Sequence, residues 1–186
     1  DCDGLVDEDF ISAGDVIVNE IMYNSVAVTD YLGEWFELAN LSSSDIDLIN
    51  WTIESDDGDS LTIESSLVVG AGEIVVLGVN DNTKSNGGVD VDYEYSRTTF
   101  KINDYTDTMY LLMDSDVIFE ISYGTGAWDI EAGSTLSLDP YFQDATNASY
   151  ATSWCAATES FGTTDSSWKA LRVKCEPQRV CVVLAT

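Results

Sequence analysis

Clusters of aspartate are the residues of this chain whose type and spacing point most directly to chemistry. They lie in three segments rich in Gly, Asn and Ser, and Ca²⁺ prefers about six to eight oxygen ligands of the kind these side chains supply. The candidate metal ligands are Asp1, Asp3, Asp7, Asp56, Asp57, Asp59, Asp81, Asp90 and Asp92. Ca²⁺ is therefore the cofactor to which the sequence points.

The three segments differ in how strongly they indicate a metal. The opening D-C-D-G-L-V-D-E-D (1–9) sets Asp at alternate positions beside Gly, like half of an EF-hand loop, and its plainer interpretation is an acidic linker. E-S-D-D-G-D-S (54–60) is more typical of a hairpin turn than of a calcium loop. The long loop 80–92 is the segment that we predict to contact a ligand, with Asn82 as a binding residue.

Polar side chains inside apolar runs form a further candidate site. Strand alternation would place Glu20 on one face with Val18 and Met22, and Asn19 on the opposite face. A carboxylate among apolar neighbours needs a partner, so we expect Glu20 and Glu37 to be hydrogen-bonded within the sheet. A paired-carboxylate acid–base site is the less favoured alternative, because no nucleophile or metal cluster accompanies the pair.

Enzyme chemistry finds little support in the sequence. The chain has no His, which excludes Ser-His and Cys-His dyads and removes the commonest general base. It also lacks a G-x-S-x-G elbow, a P-loop and a dinucleotide fingerprint. We therefore expect no enzyme. A fragment of a carboxylate-based hydrolase stays as an alternative, which would require two carboxylates facing one cleft.

Tryptophan offers a second type of binding surface. Trp35 and Trp51 lie in strand-like runs, where a core position is expected. Trp128 lies in the loop-like segment G-T-G-A-W-D and is the better candidate for an exposed ring that stacks on a sugar. A calcium-dependent carbohydrate- or matrix-binding module is therefore one hypothesis for this chain.

The charge of the chain excludes some partners. Its formal net charge is −27, from 34 acidic and 7 basic residues. Such a chain repels phosphate backbones, so we expect no binding to duplex nucleic acid, and anionic membranes are poor partners. No apolar run is long enough to span a bilayer, and we expect no membrane insertion. The acidity favours either specific cation binding or simple solubility.

Cysteine content bears on the compartment. Cys2, Cys155, Cys175 and Cys181 permit two disulfides with three connectivities, and free thiols in a reduced protein are the alternative. The spacing does not suit zinc, and no His accompanies the four thiols. Disulfides would place the chain outside the cell or at its surface.

The elements that must position these groups are short strands. Val, Ile, Thr, Tyr, Phe and Trp dominate the apolar runs, and no window shows a sustained helical period. The predicted strands are 16–23, 34–40, 46–54, 60–64, 73–79, 107–113, 116–123 and 134–139. We predict that 73–79 is central and covered on both faces, that Asp114-Ser115 forms a tight hairpin turn, and that 141–160 is irregular with a helical turn. The pattern indicates an all-β antiparallel sandwich of about eight or nine strands.

Several of these segments, in this order, resemble the lamin tail domain of secreted bacterial proteins. They are V-I-V-N-E-I-M-Y-N (16–24), E-W-F-E-L-A-N (34–40), I-D-L-I-N-W-T-I (46–53), A-G-E-I-V-V-L-G (71–78), Y-L-L-M-D-S-D-V-I-F-E-I-S-Y-G (110–124), L-S-L-D-P (136–140) and S-W-C-A-A-T (153–158). The resemblance implies an Ig-like sandwich without catalytic residues or cofactor. It also implies a role as an accessory module in secreted or surface proteins.

The resemblance divides the chain into three parts. Residues 14–165 form the lamin-tail-like sandwich, and 1–13 resemble the end of an Asp-rich metal-binding repeat. Residues 166–186 form a basic, Cys-containing tail, which departs from the Gly- and Pro-rich exit typical of the family. The function expected is a non-catalytic interaction module whose loop surface binds a protein or a polysaccharide.

Overall fold

The fold is built from short strands, as the β-branched and aromatic runs predict. The computed structural model describes residues 11–124, 126–128 and 131–157. The strands are β1 (Val16–Met22), β2 (Trp35–Asn40), β3 (Ile46–Asp47), β4 (Thr52–Ser55), β5 (Ser60–Thr62), β6 (Val68–Val69), β7 (Ile74–Gly78), β8 (Tyr93–Glu94), β9 (Asp107–Met113), β10 (Asp116–Tyr123), β11 (Leu136–Leu138) and β12 (Trp154–Ala156). Two four-residue helices, α1 (Asp30–Gly33) and α2 (Ala145–Ala148), lie in the connections, as do 3₁₀ turns at Pro140–Phe142 and Ala151–Ser153.

The strands form two main sheets and a small ribbon. The larger sheet has the order β12-β11-β1-β2-β7-β8 and the smaller one β10-β9-β4-β5, while β3 pairs with β6. The pairs are antiparallel except β7 with β8, which is parallel. The predicted all-β antiparallel sandwich is confirmed.

The core lies between the two sheets. Phe36 and Leu38 of β2 belong to the same continuous cluster of buried apolar side chains as Met109 and Leu111 of β9. Each such side chain contributes roughly 1.5–3 kcal/mol when it is removed from water. Burial of this inner face fixes which residues of β1 and β2 point to the outer face.

A β-bulge in β1 changes that outer face. Val18 pairs with Leu38, but Glu20 already pairs with Glu37, so Asn19 is an extra residue in the strand. Val18 therefore points into the core with Leu38, while Glu20 points outward. The expectation that simple alternation sets Glu20 on one face with Val18 is wrong, because the bulge reverses the alternation at this point.

Some predicted elements are confirmed and others are altered. Asp114 and Ser115 connect β9 to β10, and Asp114 has a φ of 57°, as a tight hairpin turn requires. The segment after Pro140 contains the expected helical turn, which is α2. The run 46–54 is divided between β3 and β4, because Asn50 has a φ of 66° and breaks the strand.

The prediction for β7 is wrong in one respect. Its neighbour β8 is only two residues long, and Ile74 and Val76 are half-buried, so only one face of β7 is fully covered.

No helix in the part of the chain that the structure describes is long and apolar enough to cross a membrane. The acidic opening and the basic tail lie outside the described residues, and the boundaries 14–165 stay a prediction.

Candidate functional site

Two glutamates lie side by side on the outer face of the larger sheet. Glu20 of β1 and Glu37 of β2 are cross-strand partners, so their Cβ atoms are roughly 4.5–5.5 Å apart. Only 5% of Glu20 and 3% of Glu37 is exposed to solvent. The strands therefore hold two carboxyl groups together in a site with little water.

The hydrogen bonds of this pair come from neutral groups. The Thr135 hydroxyl donates to Glu20 Oε1, and Asn19 Nδ2 donates to Glu37 Oε2 at 3.1 Å. The bulge places Asn19 and Glu20 next to each other on the outer face, where Asn19 reaches Glu37. Neutral donors stabilise a carboxylate less than a cation does, so the negative charge of the pair is poorly compensated.

Burial sets the protonation of the pair. The pKa of Glu37 is raised to about 8, mainly by desolvation and then by the neighbouring charge of Glu20. The hydrogen bond from Asn19 lowers this pKa, but by less than the Glu20 charge raises it. Desolvation also raises the pKa of Glu20, against hydrogen bonds from Thr135 and Ser137. Two carboxyl groups this close do not both ionise easily, so the pair retains a proton near neutral pH.

Asn19 leaves one buried acceptor unused. Its Oδ1 atom is shielded from solvent and has no hydrogen-bond partner, whereas its Nδ2 donates to Glu37. A buried polar atom without a partner is rare and costs about 1–3 kcal/mol. The site therefore has an acceptor for which the chain supplies no donor in the described residues.

A cleft of about 520 Å³ opens over this pair. Its floor is the outer face of β1, β2 and β7, and its walls come from the segments 68–73, 90–92 and 137–143. The acidic residues that line it are Glu20, Glu37, Glu73, Asp90 and Asp92. Since no Lys or Arg is among the described residues that line it, the cleft attracts cations.

The Asp56–Asp59 segment forms the predicted turn, between β4 and β5. Lys101 Nζ lies 2.8 Å from Asp57 Oδ2 and 2.8 Å from Asp59 Oδ2, and the Tyr110 hydroxyl donates to Asp56 Oδ1 at 3.0 Å. The ammonium of Lys101 therefore occupies the position between these carboxylates. Calcium binding by Asp56, Asp57 and Asp59 stays a prediction.

The long loop 80–92 is ordered by its own asparagines. Asn82 Oδ1 accepts from Lys84 N at 3.1 Å, and the buried Asn86 donates to Val89 O at 2.7 Å. Asp90 and Asp92 line the cleft, whereas Asp81 is exposed and does not. The end of the loop that we predicted to contact a ligand therefore contributes a wall of the cleft, and ligand contact by Asn82 stays a prediction.

The remaining predicted residues are placed as follows. No group of three or more His, Cys, Asp or Glu in the described residues is arranged to hold a metal ion. Trp128 is half-buried and packs against Trp154, with ring centroids 6.0 Å apart, so less of its ring is open than we expected. Asp1, Asp3 and Asp7 lie outside the described residues. Cys155 lies in β12, and the pairing of the four cysteines stays a prediction.

Sequence reasoning identified Asn19, Glu20 and Glu37 but not their arrangement. Two glutamates inside apolar strands were the available signal, and they were expected to be structural. The bulge that gathers them and the cleft above them depend on strand register, which the sequence pattern does not reveal.

A comparison with known families gives one match. The family model described as Lamin Tail Domain matches residues 11–125. The match includes β1, β2 and β7, which form the floor of the cleft, but not the wall at 137–143. No curated protein matches the chain.

Proposed function

The chain belongs to the lamin tail domain family, and from that premise we propose that it is a non-catalytic interaction module of a secreted or cell-surface bacterial protein. The family is an Ig-like fold of the kind that serves binding, and the sandwich provides a rigid support for loops and clefts. The partner that fits best is a protein with a basic surface.

The acidic cleft is the observation that carries this proposal. It combines five carboxylates, an unused buried acceptor and no basic lining residue in the described part of the chain. Complementary charge speeds encounter with a basic partner and disfavours acidic ones. A net charge of −27 adds to this preference at long range.

Two features support an extracellular location. The four cysteines of the chain would form two disulfides, which persist mainly in oxidising compartments. The resemblance to accessory modules of secreted bacterial proteins points the same way. Both features support the location as a proposal.

A calcium-dependent carbohydrate- or matrix-binding module is the second candidate. Its support is a group of exposed aromatic side chains in the segment 140–150, where Tyr141 is 87% exposed and Tyr150 is 56% exposed. Exposed rings on a small sandwich suit stacking against sugars. The aspartates of the loops would supply the calcium ligands.

A carboxylate-based hydrolase is weaker than either candidate, although the cleft does hold two close carboxyl groups. Glu20 and Glu37 project from the same face of one sheet, so they approach a substrate from the same side. Glycosidases instead place two carboxyl groups on either side of the bond that is broken. The arrangement therefore suits holding a cation or a proton better than hydrolysis.

Binding measurements on the full chain test these proposals. A basic protein and an acidic protein of similar size, and insoluble cellulose, chitin and xylan, are compared as partners with Ca²⁺ and with excess EDTA. Salt-sensitive binding to the basic protein alone, unaffected by EDTA, is the expected result. Calcium-dependent binding to a polysaccharide would favour the second candidate. Release of reducing sugar ends would show an enzyme and overturn the proposal.

A further inference from the structure

We infer that the cleft over Glu20 and Glu37 is a socket for a lysine side chain carried by a basic segment of the partner protein. The inference rests on the proposed function, since it names the binding site and the partner chemistry of that interaction module. It is carried by the unused acceptor, by the charges around it and by the shape of the cleft.

The unused acceptor indicates that a donor belongs in the site. Asn19 is among the residues that line the cleft, and its Oδ1 atom is buried without a hydrogen-bond partner in the described residues. Next to it are the carboxyl groups of Glu20 and Glu37, which are 5% and 3% exposed. A lysine ammonium has three N–H donors, and the site offers one acceptor from each of these three side chains.

Elsewhere the chain supplies its own cation to carboxylates that lie close together. Lys101 bridges Asp57 and Asp59 at 2.8 Å each, and Arg97 Nε lies 2.9 Å from Glu34 Oε2. No Lys or Arg of the described residues lines the cleft. Among the described residues, the Glu20–Glu37 pair therefore has no cation of its own.

The shape of the cleft favours a side chain over a metal ion. The described carboxylates do not form a group of three or more that could hold a metal. Val68, Ile74 and Val76 line the cleft beside the acids and offer apolar contact to the methylene stem of a lysine. Glu73, Asp90 and Asp92 also line the cleft. Their negative charge would attract further basic residues that neighbour this lysine in the partner's segment.

Protonation of the pair couples binding to pH. Burial and the Glu20 charge raise the pKa of Glu37 to about 8, and Asp92 adds to that effect from the segment before β8. The facing residues of β7 and β11 are Val76 and Ser137, which carry no charge. An ammonium replaces the proton of the pair, so affinity for lysine should rise as the pH increases from 6 to 9.

Calorimetric titration of the full chain tests the socket, with the peptide tetralysine as the probe. Its matched control is tetralysine acetylated on every Nε, which has the same stem without the side-chain charge. At pH 8.5 and about 150 mM salt, we expect tetralysine to bind and the acetylated peptide to bind at least roughly tenfold more weakly.

Two variants locate the binding site. Glu37→Gln keeps the shape of the side chain but removes its charge, and should weaken tetralysine binding roughly tenfold or more. Glu120→Gln removes an exposed charge on β10, outside the cleft, and should change the affinity less than about twofold. Thermal unfolding of both variants checks that each is folded.

Three results would overturn the inference. They are equal binding by Glu37→Gln and the native chain, equal binding of acetylated and unmodified tetralysine, and an affinity that does not rise with pH. Each leaves the proposed function standing if the basic protein still binds the full chain. If the basic protein fails to bind while tetralysine binds as expected, the socket stands and the broader role is wrong.

Discussion

Glu34 and Glu37 are both buried glutamates, yet their surroundings differ sharply. Glu34 precedes β2 and is 1% exposed, and its carboxylate accepts from Arg97 Nε at 2.9 Å and from Ile102 N at 2.8 Å. Glu37 is 3% exposed, and it has Asn19 as a neutral donor and Glu20 as a like-charged neighbour. One carboxylate is compensated by a cation and the other is not.

The difference separates a structural carboxylate from a binding one. Glu34 ties the 95–102 segment to the larger sheet, because its partners are Tyr95, Arg97 and Ile102. Burial still raises the pKa of Glu34 to about 7, since desolvation outweighs these interactions. In the part of the chain that the structure describes, Glu37 makes no ion pair, and its pKa is raised to about 8. A buried charge without compensation costs stability, and a binding role gives a reason for its presence.

Removing the compensated carboxylate should have the largest effect on stability. Glu34→Ala leaves the Arg97 guanidinium and the buried Ile102 N–H without their partner, and should lower the free energy of unfolding by about 3–5 kcal/mol. Urea denaturation at pH 8 measures the change, because Glu34 is ionised there. Glu34→Gln, which keeps an acceptor for Ile102 N, is the control and should lose less. Equal loss in both variants would contradict the assigned role of the Ile102 hydrogen bond.

Neutralising the uncompensated carboxylate should instead stabilise the protein at alkaline pH. The folded pKa of Glu37 is about 8 against an ordinary value of 4.5, so the folded state binds the extra proton between these values. Stability should therefore fall as the pH rises from 4.5 to 8. A shift of this size corresponds to at most about 5 kcal/mol.

Glu37→Gln should remove most of this pH dependence and raise the urea midpoint at pH 8.5. Titration of Glu34 also lowers the stability of the protein as the pH rises to about 7, but it does so equally in the native chain and in the variant. The difference between the two proteins therefore reports the contribution of Glu37 alone. Urea midpoints at pH 5, 7 and 8.5 provide the measurement. A lower midpoint for Glu37→Gln at pH 8.5 would show that the carboxylate supports the fold.

The exposed ion pairs should contribute least. The side chain of Lys101 is 36% exposed and that of Asp57 is 40% exposed, so solvent and salt screen their attraction. Asp57→Asn should change the free energy of unfolding at pH 7 by less than about 1 kcal/mol, and less again in about 1 M salt. The hydrogen bonds from Lys101 and Ser55 hold the pKa of Asp57 well below its usual range, so its contribution is lost as the pH falls below 3.8. A loss that is unchanged by salt would mean that the pair acts through packing.

Much of the fold follows from local sequence. The run 107–113, the turn at Asp114-Ser115 and the run 116–123 predict the β9–β10 hairpin almost residue for residue, because both strands and their turn are local in the sequence. The run 46–54 was less informative, because the left-handed residue Asn50 lies between β3 and β4 and interrupts a run that reads as one strand in the sequence. Boundaries fail where one residue has an unusual φ.

The candidate site, in contrast, could be predicted only in part from local sequence. Asn19, Glu20 and Glu37 were notable as polar residues in apolar strands, but alternation placed Glu20 on the wrong face. The bulge between Val18 and Glu20 was not signalled by Gly or Pro, so no residue type indicated it. The cleft needed the segments 90–92 and 137–143, which are distant in sequence and meet only in the folded chain.

The sequence by itself determined the all-β class, the hairpins, the strongly acidic character and the membership of residues 11–125 in the lamin tail domain family. These properties depend on residue types and on the alternation of apolar and polar residues along strands, both of which are local in the sequence. Only the tertiary structure decided that Glu20 and Glu37 lie side by side beneath a cleft and that Lys101 and Arg97 pair with other carboxylates. Register and long-range contacts set those distances, and electrostatic energies depend on distance and burial rather than on residue type.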